Sequence, residues 1–165
     1  MTDSMKKVIR VVAVFLSIVL IGVIGFKIWS TGLVKEAMKL EDVSIDVSKV
    51  EDAENLVAKT VETFGKVDVL VNNAGVLEAG LKPIDVVEDD DIDWVFGINT
   101  KGTINCTRAV LQEMKKNNKG SIINLDSVAG AYGCGGASYV TSKAAVIGLT
   151  KHTALRFAGT GIRCN

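Results

Sequence analysis

Hydrophobic and polar positions alternate along this chain in two distinct periods. From Glu51 to Phe64, apolar residues fall at Ala53, Leu56, Val57, Val61 and Phe64, a stripe with helical spacing that Gly65 closes. Val67 to Val71 is an apolar run but for Asp68, read as a strand buried on both faces. A second helical stripe carries Ile92, Val95, Phe96, Ile104, Ala109, Val110, Leu111 and Met114, and it ends in Lys115, Lys116, Lys119 and Gly120. Basic residues in the last turn followed by glycine predict a stop there. Ile122, Ile123 and Leu125 then read as a second buried strand, and Ser138 to Phe157 as a helix whose small residues Ala144, Ala145 and Gly148 allow close packing. Val43 to Val47 is a further short strand-like run. Strands alternating with helices predict an α/β domain with a parallel sheet.

The amino-terminal part has a different pattern. Val11 to Phe26 is an uncharged run of 16 residues, with Lys6, Lys7 and Arg10 before it and Lys27, Ile28 and Trp29 after it. As a helix it would reach roughly 24 Å at ~1.5 Å per residue, short of a ~30 Å hydrocarbon core. Snorkelling of Arg10 and Lys27 and an interfacial Trp29 would close that gap. This predicts a single-pass membrane anchor over about residues 8–29. The alternatives are a buried strand within Val8–Val14, whose residues are β-branched enough, and a cytoplasmic protein. No small-x-small site follows the run, which argues against a cleaved signal peptide. Three basic residues lie on each side, so orientation stays open. The organisation expected is a segment 1–30 with the span, a linker 31–42 and a domain 43–165.

Composition narrows the partners. Lys plus Arg and Asp plus Glu each number 19, a balance that gives nucleic acid nothing to bind to. Three cysteines without a C-x-x-C pair fit a reducing compartment and supply no zinc site. The acidic run Glu88, Asp89, Asp90, Asp91, Asp93 reads better as carboxylates crowding the positive end of a helix than as a metal site. Mean hydropathy is +0.31, with the excess concentrated at the amino-terminal end.

The candidate chemistry lies between Ser121 and Lys143. Tyr139 and Lys143 stand four residues apart on a predicted helix, so phenol and ammonium share a face. Ser127 lies twelve positions upstream of Tyr139, where a strand ends, and Asn72-Asn73-Ala74-Gly75 follows the other apolar strand. An ammonium about 4 Å from the phenol, at an effective dielectric of about 20, would favour the phenolate by ~4 kcal/mol before desolvation is subtracted.

These three features in this order resemble the short-chain dehydrogenase/reductase family, with a flavour of the bacterial reductases related to 3-oxoacyl carrier-protein reductase. The resemblance covers about Val43 to Asn165. It implies a Rossmann-like, doubly wound parallel sheet of order 3-2-1-4-5-6-7. From that sheet this chain would lack the first βαβ unit and the carboxy-terminal substrate region. Thr31-Gly32 is followed by Leu33-Val34-Lys35-Glu36, not by the Gly-rich turn that cradles a pyrophosphate.

The resemblance further implies NAD or NADP as cofactor and hydride exchange with a small-molecule carbonyl or secondary alcohol. Tyr139 would exchange the proton, Ser127 would hydrogen-bond the substrate oxygen, Lys143 would favour the phenolate and hold the ribose, and Asn99 would hold a relay water. Asn73, Ala74 and Gly75 would line the cofactor site. Asp46 and Val47 match the place where the family meets the adenine ring, and Asp46 equally reads as a cap of the next helix. His152, two turns past Lys143, reads as a surface or interface residue. The two long helices imply contacts between copies. A non-catalytic, membrane-tethered remnant of the family is the alternative function, and a fused or mispredicted reading frame is a third.

Overall fold

A computed structural model of the chain describes residues 45–165. The apolar run, the expected anchor at 8–29 and the linker at 31–42 lie outside the described residues. Among the described residues no helix is long and apolar enough to cross a membrane. The expected single-pass membrane localisation therefore has no span among them. Its physical weakness was the length of the run, since 16 helical residues fall short of the hydrocarbon core, and hydropathy alone does not separate a membrane helix from a buried strand.

Asp46–Asn165 pack as one unit. Helix α1 (Val50–Phe64) leads into β1 (Val69–Asn72). Next come α2 (Asp89–Phe96), a π-helical turn (Gly97–Gly102) and α3 (Thr103–Lys116), which run without a break. Strand β2 (Gly120–Asn124), the short α4 (Val128–Tyr132), α5 (Ala137–Arg156) and β3 (Ile162–Cys164) complete the order. The strands lie parallel in the order β1-β2-β3, with Leu70 opposite Ile122 and Ile122 opposite Cys164. This is a Rossmann-like α/β sheet. Both crossovers advance in one direction, so right-handed connections put α3 and α5 on the same face.

That face holds the core. Val57 of α1, Val110 and Met114 of α3, Ile122 of β2 and Ile162 of β3 are buried together, each removing about 1.5–3 kcal/mol worth of apolar surface from water. The opposite face is more open than the sequence suggests. Ile122 is 0% exposed whereas its neighbour Ile123 is 40% exposed, and Val69 to Val71 are only partly buried. Strands this rich in apolar residues fit burial on both faces, but the clustered core covers only one of them.

Element ends follow local chemistry. Gly65 adopts φ 80° and donates to Val61 O at 2.7 Å, a left-handed helix stop. The stop of α3 differs from expectation. Asn118, at φ 46°, takes the left-handed position that asparagine tolerates, and Gly120 instead begins β2. There the Met114 side chain fills the space a β-carbon on Gly120 would need. The expected strand at Val43–Val47 is not formed over its described residues, because Asp46 opens a turn: its carbonyl accepts from Lys49 N at 2.9 Å.

Candidate active site at the carboxyl ends of the strands

Side-chain amides tie the strand tips together. Asn72 Nδ2, at the end of β1, donates to Asn124 Oδ1 at 2.8 Å and to Thr107 Oγ1 at 3.1 Å. Asn124 Nδ2 donates in turn to Thr150 Oγ1 at 2.8 Å. One chain of hydrogen bonds therefore joins β1, β2, α3 and α5. Beyond Asn72 the backbone leaves the sheet through Asn73, Ala74 and Gly75, with Asn73 and Gly75 exposed.

Asn99 lies in the π-helical turn and is buried. Its Oδ1 accepts from Val76 N at 2.8 Å, while its Nδ2 donates to Val76 O at 2.8 Å and Ser142 Oγ at 2.9 Å. This two-way pairing imitates a strand partner and holds the segment after Gly75 against α5. Ser142 Oγ donates onward to Tyr139 O at 2.8 Å. The extra residue of a π turn is a common functional irregularity in a helix, and here it carries the asparagine that makes these contacts.

Lys143 is buried, and its Nζ donates to Leu125 O at 2.7 Å, just beyond β2. Nζ stands 5.9 Å from the centre of the Tyr139 ring. A β-carbon on Gly75 would lie 3.5 Å from Lys143 Nζ and 3.6 Å from Asn99 Oδ1. The bare backbone at 75 thus leaves room beside the cation and the amide for a hydroxyl-bearing ligand, which fits the ribose end of a nicotinamide cofactor. Ser127 caps α4, accepting from Ala129 N at 3.2 Å, and its hydroxyl hydrogen is free to serve another acceptor. Gly130 carries α4 onto α5: a β-carbon there would stand 2.7 Å from Ala144 N and from Lys143 C. The helix that starts at Ser127 therefore crosses α5 at Lys143, one turn after Tyr139.

Asn99, Gly75, Tyr139 and Lys143 are thus brought together, with Ser127 one short helix away. Asp46 and Val47 stand apart, before α1. Asp46 Oδ1 accepts from Ser48 Oγ at 2.6 Å and Ser48 N at 3.1 Å. The Ser48 hydroxyl, the Ser48 amide and the Lys49 ammonium hold its carboxyl below the usual range against the opposing push of burial. Asn105 Nδ2 donates to Val47 O at 3.0 Å, and Val47 occupies the space a β-carbon on Gly102 would take. Sequence reasoning placed Asn72 in the turn motif without assigning it a site role, and missed Gly130 and Ser142. Of those two only Ser142 had a local signal, as the hydroxyl beside Lys143 on the Tyr139 helix.

The short chain dehydrogenase family matches residues 28–165. The chain belongs to that family. The match begins at residue 28, inside the expected anchor at 8–29, and the expected single-pass membrane localisation is corrected on this match and on the likeness to the reductase described below. Among short-chain dehydrogenases, 3beta-hydroxysteroid dehydrogenase 2 of Eggerthella lenta is 43% identical over 77% of this chain and 49% of its own length. The 3-oxoacyl-acyl-carrier-protein reductase FabG of Thermotoga maritima is 41% identical over 81% of this chain and 55% of its own. The structure of NAD+-bound xylitol dehydrogenase is similar at a TM-score of 0.71 and 39% identity, over 74% of this chain and 47% of that one. ElxO with NADP bound has the same TM-score at 36% identity, over 74% and 49%. The chain spans about half the length of the relatives it matches.

Proposed function

We propose that this chain carries the proton-transfer half of an NAD- or NADP-dependent oxidoreductase acting between a small-molecule carbonyl and its secondary alcohol. The observation that carries the reading is the buried Lys143 ammonium, fixed by Leu125 O and set beside both the Tyr139 ring and the open backbone of Gly75. Cation and phenol lie one helical turn apart on α5, so Lys143 stands beside the place of proton transfer. Tyr139 then gives its proton to the substrate oxygen in reduction and takes it back in oxidation. Ser127, oriented by its capping bond, donates to the same oxygen. Asn99 holds Val76 and Ser142, and through Ser142 the backbone of Tyr139, so that the phenol and Gly75 keep their separation. Asn73, Ala74 and Gly75 line the cofactor, Lys143 offers its remaining donors to the ribose, and Asp46 and Val47 lie toward the adenine. The cofactor supplies the hydride when bound. One related structure holds NAD+ and another NADP, which supports either.

The groove between α3 and α5, lined by Ile104, Leu111, Leu149, His152 and Phe157, suits a second copy of this chain, as two long helices with apolar ridges pack on each other.

Titration of the purified chain into NADH and NADPH, followed by nicotinamide fluorescence and by turnover of a panel of small ketones, tests the reading. A fluorescence change that Lys143→Ala removes is expected. Turnover should fall by at least about 10²-fold in Tyr139→Phe, the scale of a lost general acid, with cofactor binding retained. Flat titrations with both cofactors would overturn the proposal.

A further inference from the structure

Among the described residues, two buried polar side chains have no hydrogen-bond partner: Glu78, 0% exposed, through both carboxylate oxygens, and Ser138, 2% exposed, through its hydroxyl. Ser138 is in the first turn of α5, and Glu78, from the loop after β1, reaches the residue before it. Gly136 is the residue before that helix, extended at φ −73° and ψ 151°, and it has no side chain with which to cap it. A β-carbon placed on Gly136 would land within bonding distance of Glu78 Oε1. The carboxylate therefore occupies the space in which a capping side chain at 136 would lie.

The backbone bonds of the first turn are partly assigned. Ala137 N donates to Lys82 O at 2.9 Å and Val140 N to Gly136 O at 2.9 Å. The amides between them, Ser138 and Tyr139, are the second and third of the helix, which a capping oxygen ordinarily serves. Among the described residues no hydrogen bond satisfies them. A buried carboxylate without a donor is costly, a helix amino terminus favours negative charge, and here the carboxylate lies against Gly136, the residue that precedes the helix.

We propose that Glu78 caps α5 in place of the side chain Gly136 lacks, its carboxylate accepting from the Ser138 and Tyr139 amides and from the Ser138 hydroxyl. The inference rests on the reading of Tyr139 as proton donor and deepens it. Lys143 is held one turn deeper by its own bond to Leu125 O, whereas Tyr139 sits in the first turn, where helices fray. Glu78 is thus a positioning residue: it joins the segment leaving Gly75 to the turn that carries the phenol.

The test is a rescue read by amide hydrogen exchange in the full chain. Glu78→Ala should speed exchange at Ser138 and Tyr139 about fivefold or more, the equivalent of a typical ~1 kcal/mol cap. Gly136→Ser in the wild-type background should also speed it, because the new side chain collides with Glu78. Combined, the two changes should restore exchange to within about twofold of wild type, since serine suits the extended backbone at 136 and now has the space. A double variant no better protected than Glu78→Ala overturns the proposal, as does unchanged exchange in Glu78→Ala. Should Glu78→Ala fail to fold, the double variant decides alone: capping requires that it fold. A wild-type chain indifferent to both cofactors would remove the oxidoreductase reading and leave this exchange pattern standing, so the two failures are distinguishable.

Discussion

At the amino ends of the strands, Met114 fills the space beside Gly120, and Val67 and Ile162 close around it. At the carboxyl ends polar groups take over: Asn72 donates to Asn124 at 2.8 Å, Asn99 to Ser142 at 2.9 Å and Lys143 to Leu125 O at 2.7 Å. Apolar contact is non-directional, so the first end supplies stability and tolerates small shifts. Hydrogen bonds fix angles as well as distances, and removing one partner leaves another stranded. The chemistry sits where direction is enforced.

Substitutions at each end should separate these roles. Met114→Ala is expected to have the largest effect on stability, about 2–5 kcal/mol for a fully buried side chain, read by denaturant unfolding. Nicotinamide response in the surviving folded fraction should be unchanged; a lost response would mean that the two ends are coupled. Asn99→Ala should cost less, about 1–3 kcal/mol for the Val76 and Ser142 groups left unpaired, yet should weaken the response far more than Met114→Ala does. Equal losses of response in the two variants would erase the contrast.

The smallest effect concerns alkali. Burial pushes the Cys106 thiol from 9.0 up to about 11 and raises Cys164 as well, an increase partly offset by the Asn124 amide. An acid whose folded value is raised favours the native state below the unfolded value. That contribution disappears as pH rises from about 9 to about 11, because only the unfolded chain ionises across the window. Unfolding free energy should therefore fall over that range. Cys106→Ala should flatten the slope, and alkylation should label exposed Cys134 well before the buried Cys106 and Cys164.

Much of the scaffold was legible in the sequence because it is local. The stripe of α1 and its Gly65 stop, the apolar strands, and α5 within a residue of Ser138–Phe157 all follow from period and capping. The pairing of Tyr139 with Lys143 followed from helical spacing alone. What stayed hidden depends on partners distant in the chain. Gly130 is small because Lys143 and Ala144 lie against it, and Gly136 because Glu78 does. Asp46 sits in a strand-like run but bonds Ser48 and turns. A hydropathy run cannot name the medium that surrounds it, and the membrane assignment failed for that reason.

The π-helical turn at Gly97–Gly102 has a mutational consequence of its own. One added residue in a helix swings everything beyond it by ~100°, so the rod from Asp89 to Lys116 presents two faces that a uniform helix would not align. Deleting any single residue from 97 to 102 would rewind the rod and turn Val110 and Met114 away from the sheet. A deletion scan should find this stretch intolerant of lost length even at exposed Lys101, where the choice of side chain hardly matters.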